Sequence, residues 1–386
     1  MVLQDKKIAI VGGGPGGLTL ARLLQRKGAN VKVYERDAGR FVRVQGATLD
    51  LHDDSGLKAL KEAGLMDAFK QNYRPGADKM RIADKHAHIA YDQHEEEDSR
   101  TDFGHEHFRP EIDRGPLRDI LLNSLEPETV VWNSHILSLQ QEEKGWTLLF
   151  QDGTTATADL VIGADGVNSK IRPYLTPIKP FYSGITVVEG TLYEAEKNAP
   201  RIYELVKGGK VFAFGDSKSL IVSSKGDGSL AFYTGCWTDE SWVRDSGIDF
   251  KDSRSVAAWF QKEFSDWDAV WQELLTTKGT SFVPRPQYCM PLDQTWEARA
   301  DMTLLGDAAH LMPPYAGEGV NMAMLDALEL SECLTSPECA DMTTAIAHYE
   351  KQMRSRASQT AKMTLEQTDA LHSEGAIDHM LRLFEE

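Results

Sequence analysis

Residues 6–18 read Lys-Lys-Ile-Ala-Ile-Val-Gly-Gly-Gly-Pro-Gly-Gly-Leu. The apolar run Ile8–Val11 suits a short strand buried on both faces, and it runs straight into glycines. Leu18, Leu20, Leu23 and Leu24 then recur at helical spacing as far as Gly28, and Val31–Glu35 gives a second strand. Strand, glycine turn, helix and strand in that order make a βαβ opening. Within it, Gly12, Gly14 and Gly17 satisfy G-x-G-x-x-G. Gly12 permits the tight turn, Gly14 lets the backbone approach a pyrophosphate, and Gly17 lets helix and strand pack closely. The helix N-terminus then offers free N–H groups and partial positive charge to phosphates. Glu35 ends the second strand, where an acid binds the adenosine ribose hydroxyls, and the adjacent Arg36 is a candidate for adenine or phosphate. The glycine pattern alone is weak, and an accidental glycine loop is the alternative. Its flanking elements make it a dinucleotide site.

Outward from this unit, Arg114–Leu125 reads as a helix with Pro116 near its start. Val130–Trp132, Leu137–Gln141, Trp146–Gln151 and Leu160–Ile162 read as strands. From about Phe181 to Trp237 short β-type runs alternate with Gly, Asp and Lys turns, which predicts an antiparallel meander. Val256–Leu275 reads as one amphipathic helix whose Trp259, Phe260, Phe264, Trp267 and Trp271 are core residues. A strand at Met302–Leu305, a helix at Val320–Leu334 and a last polar helix from Thr343 to beyond Thr368 complete the pattern.

Bulk properties exclude several classes. A net charge of −17 over 386 residues disfavours nucleic acid and anionic membranes, which need basic patches. No stretch approaches the roughly 20 apolar residues that span a bilayer, and the N-terminal apolar run is too short for a signal peptide. The four cysteines show no CxxC or zinc-finger spacing and read as free thiols in a reducing compartment. The acid- and His-rich stretch Asp92–His107 reads as a solvated loop or hairpin, so no metal is expected. The expectation is a cytoplasmic monomer.

Two later motifs decide which dinucleotide is held. Leu160–Gly163 leads into Asp165-Gly166, followed by Ser169 and Arg172. Leu304-Leu305-Gly306-Asp307-Ala308-Ala309-His310 again presents an acid after a strand, where Asp307 can accept hydrogen bonds from ribityl hydroxyls. Gly317-Glu318-Gly319-Val320-Asn321 then starts a helix whose positive end can sit under an electron-rich flavin ring. Each is an ordinary strand-to-turn junction alone; three in order point to FAD.

With these motifs the chain resembles the single-component aromatic-hydroxylase class of FAD monooxygenases, of which para-hydroxybenzoate hydroxylase is the familiar example. More closely, it looks like the Tet(X)-type tetracycline-inactivating enzymes. The runs that carry this are VKVYERD (31–37), GATLDLH (46–52), PEIDRGPLRDILLNSLE (110–126), EFSDWD (263–268) and GDAAHLMPPYAGEGVN (306–321) with the following MLDAL. The resemblance implies an α/β fold: a Rossmann-type FAD-binding domain (1–75, 105–178 and 280–340), an α+β substrate domain with an antiparallel sheet (76–104 and 179–279), and a C-terminal bridging helix (341–386). It implies that Arg114 contacts FAD with Arg118 as a supporting charge, that Asp50 lies near the flavin, and that Asp307 binds the ribityl chain. Pro314 would lie against the isoalloxazine and Arg43 would meet NADPH. Where the tetracycline enzymes present Gln and Arg to the drug, this chain has Glu189 and Lys210; a His and a Gly farther along are Ala231 and Tyr233. Arg to Lys loses a planar fork, and Tyr for Gly narrows the cavity.

The implied activity is hydroxylation of a polycyclic or phenolic small molecule by FAD, NADPH and O₂ through a flavin C4a-hydroperoxide, with tetracycline as lead candidate. No side chain need act as a nucleophile, Ser169 included. A second nucleotide fold with a redox cysteine pair, as in disulfide reductases, and the W-x-W-x-I-P run of flavin halogenases are both missing. An FAD dehydrogenase or oxidase stays open, as does a flavoprotein that sequesters its ligand without turnover.

Overall fold

The computed structural model describes residues 3, 5–42, 48–95, 103–105, 108–275 and 280–385. In chain order the first half contains β1 (Lys7–Val11), α1 (Pro15–Arg26), β2 (Asn30–Tyr34), β3 (Thr48–Asp50), β4 (Met80–Asp84), β5 (Ile89–Asp92), β6 (Glu111–Asp113), α2 (Arg114–Asn123) and β7 (Val130–Val131). Then follow β8 (Ile136–Gln141), β9 (Trp146–Phe150), β10 (Thr155–Ala158), β11 (Leu160–Gly163), β12 (Phe181–Leu192), β13 (Lys210–Gly215), β14 (Lys218–Ser224) and β15 (Leu230–Trp237). The last part holds α3 (Ser253–Glu263), β16 (Ser281–Cys289), β17 (Met302–Leu304), α4 (Gly319–Thr335), α5 (Met342–Leu371) and α6 (Ala376–Glu385).

A five-stranded parallel sheet has the order β17-β11-β1-β2-β7. Parallel strands covered on both faces need unbroken apolar runs, and Ile8, Ile10, Leu160, Val161 and Ile162 are all buried. Because the strands share one direction, the turns after β1, β2, β11 and β17 gather at one edge, which is where such sheets bind ligands. Helix α1 lies close on this sheet because position 17 is glycine: a Cβ there would overlap the Gly12 carbonyl oxygen.

The second large sheet differs from the expected meander. Strands β13, β14 and β15 are a meander, but the full order is β16-β12-β15-β14-β13-β4-β5, and β4 runs parallel to β13. Strand β16, expected with the nucleotide fold, pairs with β12 instead. One face of this sheet buries Val188, Leu192, Val211, Leu220, Val222 and Phe232 under a helical layer that includes α3.

The single helix expected over Val256–Leu275 is interrupted. Helix α3 ends at Glu263, and the chain resumes as a 3-10 segment over Ala269–Leu275. Between them the Asp268 N–H donates to the Lys85 carbonyl at 2.9 Å, and its carboxylate caps the restart through Val270 N–H at 2.7 Å. Phe264, Trp267 and Trp271 stay buried, as expected of core aromatics.

Helix α5, thirty residues long, touches both large sheets. Tyr349 Oη donates to the Leu304 carbonyl of β17 at 2.9 Å. Just past its other end, the His372 carbonyl accepts from Trp237 Nε1 of β15 at 2.9 Å.

Candidate cofactor and substrate site

The glycine turn is shaped by strain and by an acid. Gly12 has φ +111°, a region that disfavours any side chain, and its Cβ would strike the Ala164 carbonyl. Nothing lies within 4 Å of the position a Gly14 Cβ would take, so that stretch of backbone stands open at the start of α1. Glu35 is buried, and its carboxylate accepts from Gly13 N–H at 2.7 Å and Asp37 N–H at 3.0 Å. The acid thus braces the glycine turn. Arg36 is exposed. Arg118, expected as a supporting charge, is buried: it donates to the Arg40 carbonyl at 3.1 Å and to Asp37 at 3.2 Å, and stacks over Trp132.

The turns after β11 and β17 are locked to each other. The Asp165 carboxylate is occupied by its own turn, accepting from Ser169 Oγ at 2.5 Å and Lys170 N–H at 2.6 Å. That carboxylate therefore builds the loop. The same turn delivers Arg172, which donates to the Ala308 and Asp307 carbonyls at 2.6 and 2.8 Å. From behind, buried Asp326 of α4 accepts from Gly306 N–H at 2.9 Å, lies 2.6 Å from His310 Nε2 and pairs with Arg356 at 2.7 Å. Burial alone would lower the His310 pKa, but Asp326 overrides it and holds it above the ordinary value. Held this way, Asp307 keeps its own carboxylate unspent: no hydrogen bond reaches it among the described residues. Burial pushes its pKa up while His310, Arg114 and Arg172 pull it down. Arg114, exposed at the start of α2, likewise has no hydrogen bond or ion pair among the described residues.

The start of α4 is stapled to the strand carrying Asp50. Asn321 is fully buried; its Nδ2 donates to the Asp50 carbonyl at 2.9 Å and its Oδ1 accepts from His52 N–H at 3.0 Å. Its side chain is spent on backbone. Gly56 makes this possible, since a Cβ there would press on Asn321 Oδ1. The Asp50 carboxylate meets His52 Nε2 at 3.0 Å. Burial would raise its pKa, but that hydrogen bond and the charges of Lys210, His52 and Arg109 bring it down to about 2. Pro314 and Gly319 are exposed beside this cluster, and the helix end at Gly319 is open. Arg43 lies outside the described residues.

The four expected substrate positions share one face of the seven-stranded sheet, opposite the helical layer. Glu189 pairs directly with Tyr233 across β12 and β15, and Ala231 and Lys210 both flank Ser223. Two of the four are spent within the protein: Lys210 pairs with Glu111 of β6, and Glu189 pairs with Arg285 of β16. Ala231 is buried and offers no open surface, whereas Tyr233 is half-buried near the centre of the face. Sequence reasoning missed Arg172, Asp326 and Glu111 as site-shaping residues. All three stand inside quoted motifs, so a signal existed for each; nothing local flags Glu111 as the partner of Lys210.

An open glycine backbone at a helix start, an unspent acid after β17 and an unpaired arginine on α2 fit an adenine–flavin dinucleotide along the sheet edge. The sequence profile of the FAD binding domain family matches residues 5–364. The chain belongs to that family. It is similar to monooxygenase asqM of Emericella nidulans, with 28% identity over 442 residues and 97% of each chain covered. It is equally similar to 6-hydroxynicotinate 3-monooxygenase of Pseudomonas fluorescens, with 28% identity, 95% of this chain and 92% of the relative covered. Among solved structures, an FAD-containing monooxygenase from Photorhabdus luminescens aligns with a TM-score of 0.77 at 26% identity, covering 95% of this chain and 98% of that one. The tetracycline destructase Tet(51) aligns with a TM-score of 0.72 at 18% identity, covering 98% and 94%. The likeness to the tetracycline enzymes is thus one of fold, while these sequence relatives are other monooxygenases. The protein is an FAD-dependent monooxygenase. Among the described residues no helix is long and apolar enough to cross a membrane, and no cluster of three or more His, Cys, Asp or Glu could hold a metal.

Proposed function

We propose that the enzyme uses NADPH and O₂ to hydroxylate a phenolic or polycyclic small molecule, with tetracycline as the lead candidate. The observation that carries this reading is the meeting of the flavin-side loop with the sheet face. Tyr315, next to Pro314, brings its hydroxyl over Gly235 of β15, where a Cβ would also strike Ser219 Oγ and His372 Nε2. An aromatic ligand lying on the face near Tyr233 would therefore be held beside the loop that Pro314 and Gly317 form.

When bound, FAD carries electrons from the nicotinamide to O₂ and supplies the oxygen-transferring chemistry. The chain's part is binding, orientation and exclusion of water. Gly12, Gly14 and Gly17 would cradle the pyrophosphate, with Glu35 fixing the turn and Arg36 at the adenosine end. Asp307 would accept the ribityl hydroxyls, Arg114 would approach from α2, and the open end of α4 at Gly319 would favour negative charge on the ring. Arg43 would meet NADPH, and Tyr233 would wall the substrate.

Incubating the holoenzyme with tetracycline, NADPH and O₂ should yield a product heavier by one oxygen atom. Unchanged drug across a panel of tetracyclines would remove that substrate and leave the hydroxylase reading to be tried on other phenols.

A further inference from the structure

Charge on the sheet face says more about the ligand. The face carries two cations, Lys210 at the start of β13 and Arg285 on the edge strand β16, and each already has a carboxylate: Glu111 for one and Glu189 for the other. Glu111 is almost completely buried, and its second oxygen has no hydrogen-bond partner among the described residues. Nearby, Arg109 acts on both Asp50 and Glu318, and His52 lies between those two acids at 3.0 and 3.5 Å. The region thus sets the carboxylates of Asp50, Glu111, Glu189 and Glu318 against the cations Lys210, Arg285 and Arg109.

A ligand carboxylate entering beside Lys210 or Arg285 would find the cation already paired, and Arg109, exposed and without an ion pair among the described residues, already acts on two acids. Beside Lys210 it would have to take that cation from Glu111 and leave the buried acid unpaired, which is costly. A hydroxyl or an amide N–H meets the opposite situation, because the surplus on this face is of acceptors.

We infer that this face recognises a carboxylate-free, hydrogen-bond-donating substrate and rejects carboxylates, with Glu111 as the discriminating residue. The inference rests on the monooxygenase reading of the same site.

The test uses the FAD-loaded enzyme and matched ligands: 4-hydroxybenzoate against its methyl ester, and salicylate against salicylamide. Binding is read from the flavin absorption spectrum and turnover from NADPH oxidation. The neutral members should bind at least about tenfold more tightly, a margin equal to one decade in Kd. Glu111→Gln should release Lys210, raise affinity for the acids by about tenfold and narrow or invert the preference. Glu189→Gln, which frees Arg285 without touching β6, should shift it the same way by less, so the test survives if Glu111→Gln does not fold. Preference for the acids, equal binding, or binding of neither member overturns the inference. The monooxygenase reading stands or falls separately: acid-stimulated hydroxylation would sink only the substrate class, and tight ester binding without oxygen insertion would sink only the reaction.

Discussion

On the parallel-sheet side, the Asp307 carboxylate and the Arg114 guanidinium stand without hydrogen-bond partners among the described residues, although everything around Asp307 is tied down. On the seven-stranded sheet, Lys210 and Arg285 are each closed off by an acid. The first side holds polar groups in reserve at fixed positions, which suits a cofactor retained through many turnovers. The second presents an aromatic surface whose charges are already satisfied, which suits a ligand recognised by shape and a few hydrogen bonds and then released. Unspent groups mark where binding free energy is available; paired groups mark what a ligand must not disturb.

The contrast can be broken most directly at Asp307. Asp307→Ala should weaken FAD retention by about a hundredfold, since hydrogen bonds to a charged acceptor contribute about 1.5–3 kcal/mol each. The ratio of flavin to protein absorbance after gel filtration measures this, and a variant that purifies fully yellow would end the distinction drawn here. Asn321→Ala should cost about 2–3 kcal/mol of stability, because it strands a buried N–H of His52 and the Asp50 carbonyl. Urea unfolding would report it, and flavin content should fall with it if the staple positions the flavin loop.

A pH dependence sharpens the same side. His310 is held above its ordinary value by Asp326. Its stabilisation is therefore complete below the unfolded imidazole pKa of about 6.5 and lost as pH rises through the higher folded value. The urea midpoint should decline as pH rises above the unfolded imidazole value, and His310→Gln should flatten the decline. The smallest effect on the cofactor belongs to the sheet face. Tyr233→Ala should leave flavin content unchanged while weakening ligand-induced spectral shifts severalfold. Loss of flavin from that variant would show that the two sides are not separable.

Much of the cofactor side was readable from local pattern. The strands, the turns after them and the helix starts at Gly14 and Gly319 follow from apolar runs interrupted by glycine and acid, and all of these lie within a few residues of each other. The roles of individual side chains were less readable. Asp165, Arg118 and Asn321 are polar residues in the right motifs, yet each is consumed in building the loops. A motif fixes which residue types stand together; it does not fix which of their atoms are left over. The segments 76–104 and 179–279, read together as the substrate domain, supply six strands of the seven-stranded sheet; β16, read with the nucleotide fold, supplies the seventh because pairing with β12 is a long-range event. The interrupted helix after α3 was missed because its aromatic spacing fits an unbroken helix, and the break is imposed by a hydrogen bond to Lys85.

By itself the sequence determined the βαβ opening, the FAD-binding turns and the family, because those depend on backbone conformation, which neighbouring residues dictate. Only the tertiary structure decided that Asn321 staples Asp50, 271 positions away, and that Lys210 is neutralised by Glu111, 99 positions away. Such pairings are set by how separate sheets dock and by which polar groups would otherwise be buried without a partner, and no local pattern carries that information.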